Sequence, residues 1–469
     1  MDEKRYKEIQ ENIEKVIEKA EINKCKLDIP IYRDKKVILD IILDYAKKNK
    51  RIIYGGYAQD YWLKKKTKKG LYGNTTAGDV DMKSPDPVKD LVQICNQIYK
   101  KGFTNIIGRQ SILEGVFNII VEGEMVADVS YVSPLSEDKH ILVKKDNGFV
   151  YVDYRFLIGD MYFVFTKHHY DYKKFLEKTF KRFHLITKTF PDIFAKPKSC
   201  GSDKKKIDQD TVKYKKLIME KYIYNNENVI LSGSDAYSYY HQLSGYSKDH
   251  HQPREDEEMV IIVDDLKKET KKIIKLLNLK NIKLEEYHKF LYNFDRSIVI
   301  KHKNKPIIRI YDNLDYCTQY NTIESDNKEK IQIVSYSYMM YYLIYMKSYY
   351  HTQPKIQQKY NCMFYYMHQF HNYYLKKYNL IGYEEDNPFT YFRIECKWEK
   401  RSILYKRQQY FNQRFKDKKK VKFEYRPESK FMKEIKITFP CTDNSGERIT
   451  ERRQLIFKED RYLDSKIKK

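Results

Sequence analysis

A chain of 469 residues with a formal net charge of +25 is long enough for two to four domains, and its surplus of cations suits a polyanionic partner, nucleic acid above all. Hydrophobic residues at 41% supply real cores and exclude a disordered chain, and no apolar run reaches the ~18 residues that a membrane span needs. The 45 tyrosines, many lysines and few glycines also fit a genome rich in A/T codons, which would raise lysine without any function, but the clustering of the basic residues favours nucleic-acid binding.

The N-terminal residues MDEKRYKEIQENIEKVIEKAE read as a charged amphipathic helix, not a signal peptide, with Ile9, Ile13, Val16 and Ile17 on one side. KKVILDIILDYAKKN (35–49) predicts a second helix. RIIYGG is a short buried strand ending in a glycine turn, and YAQDYWLKKK a helix. After a Lys/Gly/Thr loop, DVDMK predicts a strand, closed by SPDP. VKDLVQICNQIYKKG is a helix ended by Gly102. VFNIIVEGEMVADVSYV predicts two strands around a Glu-Gly-Glu turn. The stretch 155–186 reads as long and helical.

Residues 195–211 lack apolar periodicity and read as a linker. The pattern then starts again: VILSGSDAYSYY (229–240) matches RIIYGGYAQDYW (51–62). EEMVIIVDDL takes the rank of DVDMK, NKPIIRIYDN that of GEMVADVSYV, and the Tyr-rich helix 336–351 that of the helix near Asp160. An internal duplication is expected. From about residue 380 the chain becomes basic and aromatic, and KITFPCTDNSGERITERRQLIFKED reads as a hairpin. Seven scattered cysteines without a CxxC pair suit neither a zinc site nor a disulfide framework, and fit a reducing, cytosol-like compartment.

The chemistry-bearing set is strand, Gly55-Gly56, helix, then Asp79-Val80-Asp81, then Asp128 on a later strand. Residues i and i+2 of a strand share a face, so Asp79 and Asp81 project together. Two such carboxylates repel unless a cation lies between them. Asp128, between the apolar Ala127 and Val129, would cost several kcal/mol to bury unless paired or ligating metal. Oxygen donors suit a pair of Mg²⁺ or Mn²⁺ ions, and two such ions suit in-line displacement at phosphorus. The side-chain-free Gly55 and Gly56 would let backbone N–H groups approach a phosphate. A glycine pair or a DxD alone is weak; the ordered set is much more specific.

This layout resembles nucleotidyltransferases of the polymerase β type, and within them the poxvirus-like poly(A) polymerase catalytic subunit of large DNA viruses. The resemblance covers most of the chain. It implies an α+β fold: an N-terminal helical segment (1–34), a catalytic nucleotidyltransferase domain (35–194), the linker (195–211), a degenerate nucleotidyltransferase-like domain (212–380) and a basic-aromatic C-terminal region (381–469). It implies ATP as substrate, an RNA 3′ end as primer, two divalent metals and no template, with residence in the host cytoplasm or virion. The duplicated architecture is compatible with a homodimer. Asp79 and Asp81 would bind the metals and Asp128 help activate the 3′-hydroxyl. A departure is KKKTKKGLYGNTTAG (64–78), longer than the family's usual spacing, which either contacts RNA or nucleotide or is a solvated insertion.

Lys167, Lys173, Lys178, Lys181 and Arg182 are candidates for triphosphate or RNA phosphates, and Ser130 for a nucleotide contact; for most of these the bland alternative is a solvated charge. Tyr162 or Phe163 could stack on adenine, although core packing suits them better. The pairs His168-His169 and His250-His251 diverge too much for a shared metal. Tyr410, Phe411 and Phe415 among lysines suit single-stranded RNA or a core stripe. In the second module the adjacent Asp264-Asp265 would alternate across the strand, and Arg309 or Ile310 would replace Asp128, so that module should be inactive. Two rival readings are another RNA nucleotidyltransferase, such as a CCA-adding enzyme, and a non-catalytic RNA-binding or processivity protein.

Overall fold

A computed structural model describes residues 3–398, apart from 73–77, 112, 114, 140, 167–171, 201–205, 291–293, 314–316 and 326–327, and then 423–428, 431–432, 437–438, 445–449 and 456–457. Two mixed sheets are each covered by helices. The first module contains α1 (Glu3–Lys48), β1 (Ile52–Tyr54), α2 (Gly55–Thr67), β2 (Val80–Ser84), α3 (Pro87–Lys100), β3 (Ile106–Gln110), β4 (Val116–Val121) and β5 (Glu124–Tyr131). It continues with α4 (Pro134–Lys139), β6 (Val143–Asp146), β7 (Phe149–Val152), α5 (Tyr154–Phe165) and α6 (Tyr172–Thr189). The two N-terminal helices expected from sequence are one continuous helix, because the residues between them offer no glycine and only one proline. The stretch expected as one long helix after residue 154 is two, α5 and α6.

The second module contains α7 (Gln209–Ile218), β8 (Ile230–Ser232), α8 (Gly233–Ser244), β9 (Met259–Val263), α9 (Leu266–Leu277), β10 (Ile282–Tyr287) and β11 (Ser297–His302). There follow β12 (Lys305–Asp312), β13 (Thr318–Glu324), β14 (Lys330–Val334), α10 (Tyr336–Tyr349), α11 (Pro354–Tyr378) and β15 (Cys396–Lys397). The C-terminal region supplies β16 (Glu424–Arg426) and β17 (Phe431–Met432). The first sheet runs β17-β16-β3-β4-β5-β2-β1-β7-β6 and the second β10-β11-β12-β9-β8-β14-β13-β15. Seven strands thus recur in the same spatial order, with β2 parallel to β5 as β9 is to β12, and β1 parallel to β7 as β8 is to β14.

Local chemistry repeats as well. Asp86 caps α3, accepting from Lys89 N at 3.2 Å, and Asp265 caps α9, accepting from Lys268 N at 3.0 Å. The β4–β5 hairpin turns through Glu122 and Gly123, and β11–β12 through Lys303 and Asn304, each pair at positive φ as tight hairpins require.

Apolar side chains of α1 and α3 pack on one face of the first sheet, against Val80, Met82, Phe117, Ile119, Ala127 and Val129. Each fully buried Val, Ile, Met or Phe among them contributes roughly 1.5–3 kcal/mol. A larger core joins the two modules through α5 and α10. Gly159 lets these helices approach, since a Cβ there would meet Ile344 at 3.0 Å, and Tyr345 Oη donates to Asp160.

The C-terminal region, read from sequence as a separate unit, feeds both sheets. Strand β16 extends the first sheet beyond β3, while Arg448 and Ser445 bridge to Tyr287 and Phe290 of the second module. Of the expected hairpin there, the described residues hold an antiparallel ladder of Ile437 with Phe457 and Thr438 with Ile456. The expected absence of disulfides is corrected: Cys200 pairs with Cys362 (Cα–Cα 5.6 Å) and Cys317 with Cys396 (5.4 Å). Their partners lie 162 and 79 residues away, so spacing could not expose them. No described helix is long and apolar enough to cross a membrane.

Candidate active site

The site begins where β1 passes directly into α2. Gly55 has φ +61°, a left-handed conformation, and a Cβ on it would collide with the Asp81 carboxylate. The glycine is needed because β2 brings Asp81 against this turn: Tyr54 is its register partner on the antiparallel side. The Gly56 N–H donates to Asp81, so this amide serves the carboxylate, whereas the sequence reading gave it to a phosphate.

On its other side β2 runs parallel to β5, with Asp81 opposite Asp128. Asp79 lies one residue ahead of the strand. Oxygens of Asp79, Asp81 and Asp128 all lie within 4.8 Å of one another. Burial, then the charge of Asp79, then that of Asp128 hold the Asp81 carboxyl well above the usual carboxylate range. Burial likewise lifts Asp128 to about 6, opposed by an amide hydrogen bond from Asn118 Nδ2 on β4. Such mutual repulsion is relieved by a cation, and an all-oxygen donor set of this size fits Mg²⁺ or Mn²⁺.

The other predicted residues fall in different places. Ser130, two residues beyond Asp128 on the same face, is buried and bonded to Tyr54 Oη at 2.9 Å, so it supports the strand pair from behind. Lys167, His168 and His169 lie outside the described residues, as do Tyr410, Phe411 and Phe415; Lys173 lies in the first turn of α6, with its side chain outside the description. Lys178 on α6 is close enough to lower the Asp81 pKa. Lys181 is paired with Glu177 at 2.7 Å on the surface. Arg182 reaches Gln59 Oε1 at 3.4 Å and the Tyr72 phenol. Tyr162 is wholly buried and Phe163 nearly so, which agrees with the core packing that suited them better than a role on adenine. His250 stacks on His241 at 3.6 Å.

Sequence reasoning missed three contributors. Asp60 accepts from Leu71 N at 2.7 Å and Tyr72 N at 3.0 Å, which holds this start of the inserted loop where the Tyr72 phenol lies against Gly56. Asn118 has no motif of its own; only its rank opposite Asp128 reveals it. Lys83, two residues beyond Asp81, is buried over the Tyr54 ring at 4.2 Å. Burial lowers its pKa, while Asp160 and Asp81 act the other way.

The second module tests the logic of the first. Its register row is Ser232, Val260, Arg309, where the first has Tyr54, Asp81, Asp128. Glu258, one residue ahead of β9, holds the rank of Asp79. The Asp264-Asp265 pair is therefore not the counterpart of the DxD; it lies at the other end of the strand, where Asp265 is a helix cap. Arg309 does replace Asp128, as expected, and its Nε contacts Glu258 Oε1 at 2.7 Å. Gly233 keeps φ +66°, and its Cβ would meet Val260 at 2.8 Å where Gly55 meets Asp81. A guanidinium thus occupies the position where the first module gathers acids.

Residues 40–169 match the family model "Poly(A) polymerase catalytic subunit", and residues 257–459 match "APMV, Putative poly(A) polymerase, catalytic subunit, C-terminal". An Acanthamoeba polyphaga mimivirus protein, "Putative poly(A) polymerase catalytic subunit", is 25% identical over 97% of this chain and 84% of its own length. African swine fever virus proteins with the same description are 28% identical, over 33% of each chain. The crystal structure of the Megavirus polyadenylate synthase shares the fold, with a TM-score of 0.79 at 23% identity over 96% of this chain and 93% of that one. The two matches are of one kind and together span most of the chain, taking in part of each module, and the chain belongs to the family of poly(A) polymerase catalytic subunits.

Proposed function

We propose that this poly(A) polymerase moves AMP from ATP to an RNA 3′ end at the cluster of Asp79, Asp81 and Asp128. The observation that carries the reading is the convergence of those three carboxylates beside the Gly55-Gly56 turn. Mg²⁺ or Mn²⁺ held there would polarise the 3′-hydroxyl and neutralise charge on the phosphates. Asp128, steadied by Asn118, presents its remaining oxygen to the hydroxyl proton. The oxygen–phosphorus bond forms at the α-phosphate as the bond to the β-phosphate oxygen breaks, and pyrophosphate leaves. The start of α2, with Arg182 and Tyr72 beside it, lies on the leaving-group side, where the helix N-terminus favours negative charge.

The second module is inactive in this reading, since Val260 and Arg309 cannot hold a cation. A homodimer, supported by the duplicated architecture, and residence in the host cytoplasm, supported by the viral relatives, belong to the same proposal. Purified protein, a short RNA with a free 3′-hydroxyl, and each nucleoside triphosphate supplied separately test it. Long extension with ATP alone is expected with Mg²⁺ or Mn²⁺. Extension limited to a CCA end, or none with any nucleotide, would overturn it.

A further inference from the structure

Among the described residues, the helices packed on β3, β4 and β5 are α1 and α3, and they cover one face only. Gly108 points to that covered face, where a Cβ would meet Leu91 and Cys95 of α3. Its neighbour Arg109 therefore points the other way, as does Asn118, its register partner on β4. Asn118 is in turn the partner of Asp128. A single row thus crosses the sheet: Asp81, Asp128, Asn118, Arg109. Burial follows the two faces. On β4, Phe117, Ile119 and Val121 are buried under the helices, while Asn118 and Ile120 stay partly exposed. Ile107, Ile120 and Met125 are register neighbours beside the polar row, and Met125 is 43% exposed.

In-line transfer gives this open face a direction. The attacking and leaving oxygens stand on opposite sides of the phosphorus. The Gly55-Gly56 turn, Tyr72 and Arg182 lie on the β1 side of Asp81 and take the leaving group. The hydroxyl must enter from the opposite side, past Asp128, and that side is β4 and β3. Arg109 lies two strands beyond Asp128, about 10 Å away at ordinary strand spacing. Glu424, the neighbour that could neutralise it from β16, is engaged by Arg426 Nε at 2.7 Å.

We propose that the uncovered face of β5, β4 and β3 is the track of the RNA strand behind its 3′ end, with Arg109 holding a backbone phosphate and Ile107, Ile120 and Met125 lying under the bases. This rests on the reading of the carboxylate cluster as the site of RNA tailing. Arg109 positions the primer and takes no part in bond making. Sequence-independent binding through phosphate and base faces is what a polymerase needs for a strand that changes with every added nucleotide.

The test is the affinity of a fluorescent oligoadenylate with a free 3′-hydroxyl, measured across a salt series. Loss of one phosphate contact lowers the slope of log K against log salt by about 0.7, which is about a fivefold loss of affinity at 0.1 M salt. Arg109→Ala should show that loss, Arg109→Glu a larger one, and Arg109→Lys recovery, all with an unchanged KM for ATP. Arg109→Gln carries the same expectation if the alanine variant fails to fold. Unchanged RNA affinity and salt slope in folded Arg109→Ala and Arg109→Glu would overturn the track. A wild-type protein that neither binds nor extends RNA would instead overturn the reading of the cluster, and this inference with it.

Discussion

Replacing Asp128 by Asn should stabilise the metal-free protein while removing its activity. Burial lifts the Asp128 carboxyl from 3.8 to about 6. The folded protein therefore holds this proton more tightly than the unfolded chain does. Stability from this group is full below about pH 4 and is lost as pH rises through about 6. The loss is roughly two units of pKa, or about 3 kcal/mol at pH 8. An asparagine never ionises, keeps the shape, and can still accept from Asn118. In chelator, urea unfolding at a series of pH values should show the variant more stable by up to about 3 kcal/mol at pH 8. The two proteins should converge near pH 4. Adding Mn²⁺ should stabilise the wild type more than the variant, because a bound cation removes the repulsion that the substitution removes. A variant that is less stable at pH 8, or more stable by the same amount at every pH, would refute the claim that uncompensated negative charge strains this site.

Further substitutions probe the frame around the cluster. Gly55→Ala forces a side chain into a left-handed conformation, at about 1–2 kcal/mol, and drives it into Asp81; extension should vanish while circular dichroism shows a folded protein. Gly233→Ala should cost similar stability and leave extension intact. Arg309→Met strands Glu258, and denaturant unfolding should show a loss toward the low end of roughly 3–5 kcal/mol, since the pair is 15% and 22% exposed. Adding Glu258→Gln should recover much of it. Asp60→Ala releases Leu71 and Tyr72, and steady-state kinetics should show a KM for ATP raised several-fold with the KM for RNA unchanged.

The sequence pattern carried the duplication and the carboxylate trio because both rest on local signals: a strand, a glycine turn, a helix and an alternation of acids. It misplaced the counterpart of the DxD because Asp264-Asp265 looks like an acidic pair, whereas only the register of β8, β9 and β12 shows that Glu258 and Val260 hold those ranks. Asn118 and Arg109 were silent for the same reason; their meaning lies in which strands are neighbours. The two cysteine pairs depend on distant segments meeting, as does β16 at the edge of the catalytic sheet. Tyr162 was ambiguous from sequence, since an aromatic on a closing helix can face a ligand or a core. Packing against Phe183 and Phe165 decides for the core.

The central claim, that tailing chemistry resides in the first module alone, is tested most directly by primer extension with ATP and Mg²⁺ or Mn²⁺ on four purified proteins. These are the wild type, Asp81→Ala, Asp264→Ala and Glu258→Gln. The account predicts no extension by Asp81→Ala and tails of wild-type length from the other two variants. Residual tailing by Asp81→Ala, or its loss in folded Asp264→Ala or Glu258→Gln, would contradict it.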